Sequence, residues 1–353
     1  MKYMTNRVHI GLRMTAALLA LAVALLSGCG KEGSADSGQT LRFSVNIQPE
    51  TRTYISGTSL VESSTGNHLP LFVSGTFYGQ DGASAELLTA QKFEYGASDR
   101  AYHASPDPVY WPMGGHGDFL VYACDATAPA SNPTVTWPGV HVADAASFAF
   151  TDTKAADLDL VWGVANDQSN AAGAIPVTLS HAMARLELSV RSADLADGRL
   201  TLKSVILQNG DTDRLQLAGT FSVDNTRNEP EAVWSGLSTT SDYGFFTSQQ
   251  VTFTSAGATS LVGLLDGTAR QARLGSAFVP FVNMYIPAQP SKNMVVTYSL
   301  DGGADITRTV NLSQSDWEMG HTYRYQLEFA GDITLGVTIN AWQNGNTLNM
   351  ELQ

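Results

Sequence analysis

The chain has 353 residues, with 20 Lys+Arg against 33 Asp+Glu, a formal net charge of −13. An acidic chain without a basic cluster argues against nucleic acid and anionic membrane surfaces as partners. Charged residues are only 15% of the total, while the chain holds 32 glycines, a composition common among extracellular β-proteins.

In chain order, Lys2, Arg7 and Arg13 form a basic start, and Met14 to Leu26 is an uninterrupted run of small and apolar residues. As a helix this run would extend about 20 Å, short of a ~30 Å hydrocarbon core. A short apolar run closing in small residues reads as an export signal over residues 1–28. Leu26-Ser27-Gly28-Cys29 looks like a bacterial lipobox, in which Cys29 is acylated and becomes the first mature residue. Several acyl chains, at about 0.8 kcal/mol per buried CH₂, attach a protein stably where one does not. Cleavage before Cys29 would remove three basic residues and no acidic one, so the mature charge is expected near −16. The other cysteine, Cys124, lies in an apolar run; it would have no partner for a disulfide and is expected to be a buried structural thiol.

Residues 29–40, free of large apolar side chains after Cys29, read as a flexible tether. Leu41, Phe43, Val45 and Ile47 then alternate with polar residues up to Pro49, the pattern of a half-buried strand. Leu71–Tyr78, Phe119–Ala123 and Leu158–Gly163 are also strand-like, the last followed by a polar stretch from Asn166 to Gly173. Ala83–Lys92 is at most a short helix. From Ile175 a second set begins: Arg185–Arg191, Leu200–Leu207, Met294–Leu300 and Asp305–Leu312. The last two flank Asp301-Gly302-Gly303-Ala304, a hairpin signal. Tyr323, Tyr325, Leu327 and Phe329 alternate, as do Ile333, Leu335, Val337, Ile339 and Ala341. Many short strands without a long amphipathic helix predict an all-β protein of two antiparallel β-sandwiches in tandem. About 325 mature residues exceed what one core usually serves. The N-terminal domain is placed at 41–174 and the C-terminal domain at 175–353, meeting near 170–176.

The search for catalytic chemistry is negative: no Gly-x-Ser-x-Gly, no His-Glu-x-x-His and no phosphate-cradling loop occurs. No catalytic residue, cofactor or metal site is expected. The Gly114–Asp118 segment reads as a turn feeding a strand, and His181 as a satisfied structural histidine. The acidic stretches 152–159 and 301–305 lack EF-hand or RTX spacing and read as solvated loops. The six tryptophans, Trp111, Trp137, Trp162, Trp234, Trp317 and Trp342, are scattered, which favours core packing over a glycan-binding platform.

What the sequence offers instead is an order of segments. A lipobox precedes an alternating strand ending in Pro49-Glu50-Thr51-Arg52-Thr53. Tyr110-Trp111-Pro112, Ile175 to Leu186 around Leu179-Ser180-His181-Ala182-Met183-Ala184, Phe281 to Gln289, Trp317 to Tyr325 and Val337 to Trp342 follow. This order resembles the fimbrillin (FimA/Mfa-like) family of Bacteroidota, the lipoprotein-derived subunits of type V pili. The resemblance covers nearly the whole mature chain. It implies two transthyretin-like β-sandwich domains, and a structural and adhesive role without enzymatic activity.

It also implies that an outer-membrane protease of arginine or lysine specificity removes the lipidated segment, here at the Arg52–Thr53 bond. Leu41, Phe43, Val45 and Ile47 would leave together and open an apolar groove. Four buried side chains at about 1.5–3 kcal/mol each make that groove a template for strand addition. A candidate donor strand is the tail, where Leu348, Met350 and Leu352 alternate with Asn349 and Glu351. Head-to-tail insertion does not close on itself and makes a filament. The expected partners are other pilus subunits, in a homo- or hetero-polymer, and the outer membrane through lipid on Cys29 before maturation. Host or bacterial surface ligands are a further class. A lipid-retained anchor subunit and a surface glycan-binding lipoprotein are the alternatives.

Overall fold

The structure is a computed structural model. It describes residues 38–47, 68–112, 114–124, 134–136, 145–153, 159–170, 173–210, 214–226, 229–239, 244–312, 316–330 and 332–341, of which 46–47, 124, 134–136, 145 and 332–341 by backbone alone. It is all-β. The described residues from Thr40 onward form one compact unit.

Seven strands close into a barrel: β1 (Arg42–Ile47), β2 (Leu71–Tyr78), β3 (Ser84–Gly96), β4 (Ala101–Ala104), β5 (His116–Cys124), β8 (Leu160–Gln168) and β9 (Ile175–His181). Their order around the barrel is β1-β4-β3-β2-β5-β8-β9, and β1 completes the ring. The inside is filled by Phe43, Leu71, Val73, Phe93, Phe119, Val121, Val161 and Val177, among others. Strands β2, β5 and β8 are apolar on both faces, as the unbroken run Phe119-Leu120-Val121-Tyr122-Ala123 requires. Their outer residues Phe72, Leu120, Tyr122, Leu160 and Trp162 meet a second sheet. That sheet runs in the order β13-β12-β7-β6, made of β6 (Thr134–Thr136), β7 (Ala145–Phe150), β12 (Gln216–Asp224) and β13 (Glu231–Thr239). Phe148, Phe221 and Trp234 carry its side of the contact. The Nε1–H of Trp234 donates to the Ala182 carbonyl at 2.6 Å.

The C-terminal sandwich pairs two further sheets. One runs β17-β10-β20-β21, from β10 (Ala184–Ser192), β17 (Gly275–Ile286), β20 (His321–Ala330) and β21 (Asp332–Ala341). The other runs β16-β15-β11-β18-β19, from β11 (Leu200–Gln208), β15 (Val251–Thr254), β16 (Arg270–Arg273), β18 (Asn293–Leu300) and β19 (Ile306–Asn311), with β14 (Gly244–Phe246) pairing β11. Leu186, Leu188 and Val190 of β10 pack with Leu202, Val205, Phe253, Phe281, Val296 and Tyr325 in its core.

Four features depart from the sequence expectation. The sheets are mainly antiparallel, but β1 with β9, β10 with β20 and β15 with β16 run parallel. Period-two alternation reports which face is buried and carries no information on a neighbour's direction. Residues 83–92 form most of β3 rather than a helical turn. A register shift at Gly75 and the positive φ of Ala90 (48°) break the alternation there. Strand β8 extends through Gln168, into the polar stretch that begins at Asn166. Finally, Asp159 is buried rather than solvated, paired with His181 at 2.5 Å.

Candidate functional site at the closing strand

Strand β1 is held along both edges. It pairs antiparallel with β4, with Phe43 opposite Tyr102, and parallel with β9 from Phe43↔Ile175 to Ile47↔Leu179. Just before it, the Leu41 N–H donates to the Val109 carbonyl at 2.7 Å, and Thr40 bridges Tyr110. Alternation directs Leu41 and Phe43 into the barrel, where they are 1% and 0% exposed, with Val45 partly buried against the same core. The Phe43 ring meets Phe93 edge-on at 5.0 Å and Phe119 at 5.3 Å. Trp111 in turn stands edge-on to Phe119 at 5.9 Å. Full burial of two such side chains contributes about 1.5–3 kcal/mol each. Without β1, β4 and β9 would each present an unpaired backbone edge beside an empty aromatic pocket.

The opposite face of β1 is polar. Arg42 Nη1 donates to Asp99 Oδ2 at 3.0 Å, and His103 Nε2 to Asp99 Oδ1 at 2.9 Å. These bonds, His103 foremost and then Arg42, hold the Asp99 carboxyl below the usual aspartate value. Burial pushes the Tyr102 hydroxyl, on the strand facing Phe43, far above the usual tyrosine range.

Of the residues expected from sequence to form the site, Leu41, Phe43 and Val45 come together as a unit, and the backbone of Ile47 continues the pairing. Cys29, Arg52, Thr53, Leu348, Met350 and Leu352 lie outside the described residues. The residues set aside as non-catalytic have structural roles. Gly115 has φ 81°, and a Cβ there would lie 2.0 Å from the Tyr78 carbonyl oxygen, as a tight turn into β5 demands. His181 and Asp159 form their buried pair where the chain leaves β9. Asp301 accepts two hydrogen bonds from Arg199, both at 2.6 Å, and Asp305 pairs with Lys203. Trp234 and Trp317 are buried, and Trp111 and Trp162 pack partly buried against the cores; Trp137 and Trp342 lie outside the described residues. Among the described residues no group of three or more His, Cys, Asp or Glu could hold a metal ion.

The family profile described as Fimbrillin-like matches residues 66–342. The chain belongs to the fimbrillin-like family. This is a family of structural and adhesive proteins of cell-surface fimbriae, not of enzymes. Among solved structures, the fimbrillin-like chain is similar to a protein described as a cell adhesion protein from Bacteroides ovatus, with 14% identity, 88% of this chain and 100% of that chain covered, and a TM-score of 0.49. It is also similar to a fimbrial protein from Bacteroides vulgatus (14% identity, 86% and 99% covered, TM-score 0.42). A third is the fimbrial anchor protein Mfa2 from Porphyromonas gingivalis (11% identity, 87% and 98% covered, TM-score 0.28). The assignment rests on the family match and not on these scores. No curated protein matches the chain.

Proposed function

We propose that this fimbrillin-like protein is a structural or adhesive subunit of a cell-surface pilus, exported as a lipoprotein acylated on Cys29. In this reading, cleavage at Arg52–Thr53 frees β1 from the rest of the chain. The vacated slot then takes an extended strand from a neighbouring subunit, and Leu348, Met350 and Leu352 are this chain's candidate donor to the next. The tandem two-domain organisation, 41–174 and 175–353, belongs to the same proposal; β9 of the second span pairs with β1 and β8 in the barrel, and β12 pairs with β7 of the first.

One observation carries the reading: the first strand both fills the barrel with Leu41 and Phe43 and completes its backbone ring. A strand so placed leaves a specific vacancy that a similar strand can refill. The test is intact mass and N-terminal sequencing of the protein from the cell surface and from sheared filaments. A filament-associated chain beginning at Thr53 supports strand removal and polymerisation. A chain that keeps acylated Cys29 and is absent from filaments sinks the polymer-subunit reading, leaving an anchor or a glycan-binding lipoprotein.

A further inference from the structure

The polar face of β1 carries a charge pair that burial of Leu41 and Phe43 does not require. Arg42 lies directly opposite His103 on β4, with Asp99 bound to both. Asp99 is positioned independently of Arg42. It sits in the turn between β3 and β4, where it also accepts from the Ala101 N–H at 3.3 Å. The backbone leaves room for it: a Cβ on Gly96 would come within 2.9 Å of His103 Cδ2 and 3.2 Å of Asp99 Oδ1. The carboxylate is thus preset on chain that stays behind when β1 departs.

We propose that Asp99 and His103 read the charge of whichever strand fills the β1 slot. The neighbour's strand taken up there would present an arginine or lysine between two apolar residues, as Leu41-Arg42-Phe43 does now. This rests on the strand-exchange reading above. Its consequence is a contact between unlike subunits, because residues 342–353 of this chain contain no lysine or arginine. Laid antiparallel to β1 with Met350 in the Phe43 pocket, that segment would set Glu351 against Asp99. Laid parallel, it would offer only Asn349. The aromatic pocket accepts many apolar side chains, whereas a fixed carboxylate rejects a like charge, so discrimination falls to Asp99.

The test uses the full chain with a protease site inserted after Arg52, cut and exchanged against fluorescent peptides of the Leu41–Ile47 sequence. The native peptide should bind about two- to fivefold more tightly than the R42Q peptide, the range of a half-exposed ion pair, and R42E should bind more weakly still. On a D99N protein, whose amide oxygen still accepts from Ala101, the three affinities should converge. Equal binding of all three peptides to the unaltered protein would overturn charge reading while leaving strand exchange intact. So would an order of affinities that persists in D99N. Retention of β1 after the cut, or release of β1 with no peptide bound, would overturn strand exchange itself and the charge reading with it.

Discussion

Strands β1 and β10 occupy equivalent places: each lies between one antiparallel and one parallel neighbour. For β1 these are β4 and β9; for β10 they are β17 and β20. In both, the parallel partner comes from more than 130 residues further along the chain. The grip differs. Strand β10 is bonded to β17 from Ala184 to Ser192 and to β20 from Arg185 to Arg191. It continues directly from β9 through the buried Ala182 and Met183. Its outer face adds ion pairs, Arg185–Glu187–Arg324 and Arg191–Glu328. Strand β1 meets β4 at Arg42 and Phe43 and β9 from Phe43 to Ile47, and among the described residues it has one ion pair. Equivalent topology therefore yields one strand locked into its sheet and one held more lightly, as the strand-exchange proposal requires. Ladder length and chain continuity make the difference, not the kind of side chain buried.

The sharpest way to break this comparison is to disrupt each strand in turn. Leu188→Asp places an unpaired carboxylate in the sandwich core, where Leu188 is 1% exposed. Leaving a buried charge without a partner costs several kcal/mol, and no folded sandwich should survive in circular dichroism. Phe43→Ala should cost about 3–5 kcal/mol, confined to the barrel: amide exchange should quicken in β4 and β9 and hold steady in β10, β17 and β20. Equal acceleration in both units would mean that β1 is as integral as β10, and the comparison would fall.

How far these features could be read from sequence depends on the kind of information each requires. Strand β2 occupies the strand-like span Leu71–Tyr78. The β18–β19 hairpin follows from Asp301-Gly302, whose φ values of 52° and 67° are those of a type I′ turn. Leu41 and Phe43 were legible for the same reason, since burial leaves a local periodic trace. Strand β13 has no steady period, because Gly236, with φ 60°, lies between buried Trp234 and half-buried Leu237, while β12 buries Leu217, Phe221 and Val223 in one phase. The pairing of β12 with β7 is non-local, so no local pattern records it. Likewise nothing near Arg42 announces Asp99, which lies 57 residues away. The apolar half of the site is written into one segment, and its polar half is assembled by topology.

Alkali probes both regions at once, with a smaller effect than core disruption. Burial raises the hydroxyls of Tyr102 in the barrel and Tyr325 in the sandwich well above the usual tyrosine value, and pushes Tyr323 up to about 12. A pKa higher in the fold than in the unfolded chain means stability that is whole below pH 10 and lost as pH rises through the folded value. Absorbance at 295 nm should therefore rise late and together with unfolding. Tyr102→Phe should delay opening of the barrel in alkali and leave the sandwich's transition in place. A sandwich transition that moved with it would show the two cores opening as one.

Acid gives the finest discrimination when the readout is confined to β1, since paired carboxylates elsewhere, Asp266 and Asp301 among them, are lowered as well. Hydrogen bonds from His103 and then Arg42 lower the Asp99 carboxyl below the usual aspartate value. A carboxyl lowered in the fold contributes stability above the unfolded value, lost as pH falls through the folded one. The hold of Asp99 on Arg42 should thus be constant from neutrality down to about pH 4 and fade only in stronger acid. The readout is the rate at which β1 leaves the chain cut after Arg52. Asp99→Asn should speed release modestly at neutral pH, by the factor that separates the native and R42Q peptides. The two proteins should converge as the Asp99 carboxyl takes up its proton. A difference undiminished in strong acid would assign the effect to the shape of the β3–β4 turn. It would remove charge from the account of what distinguishes the lightly held strand from the locked one.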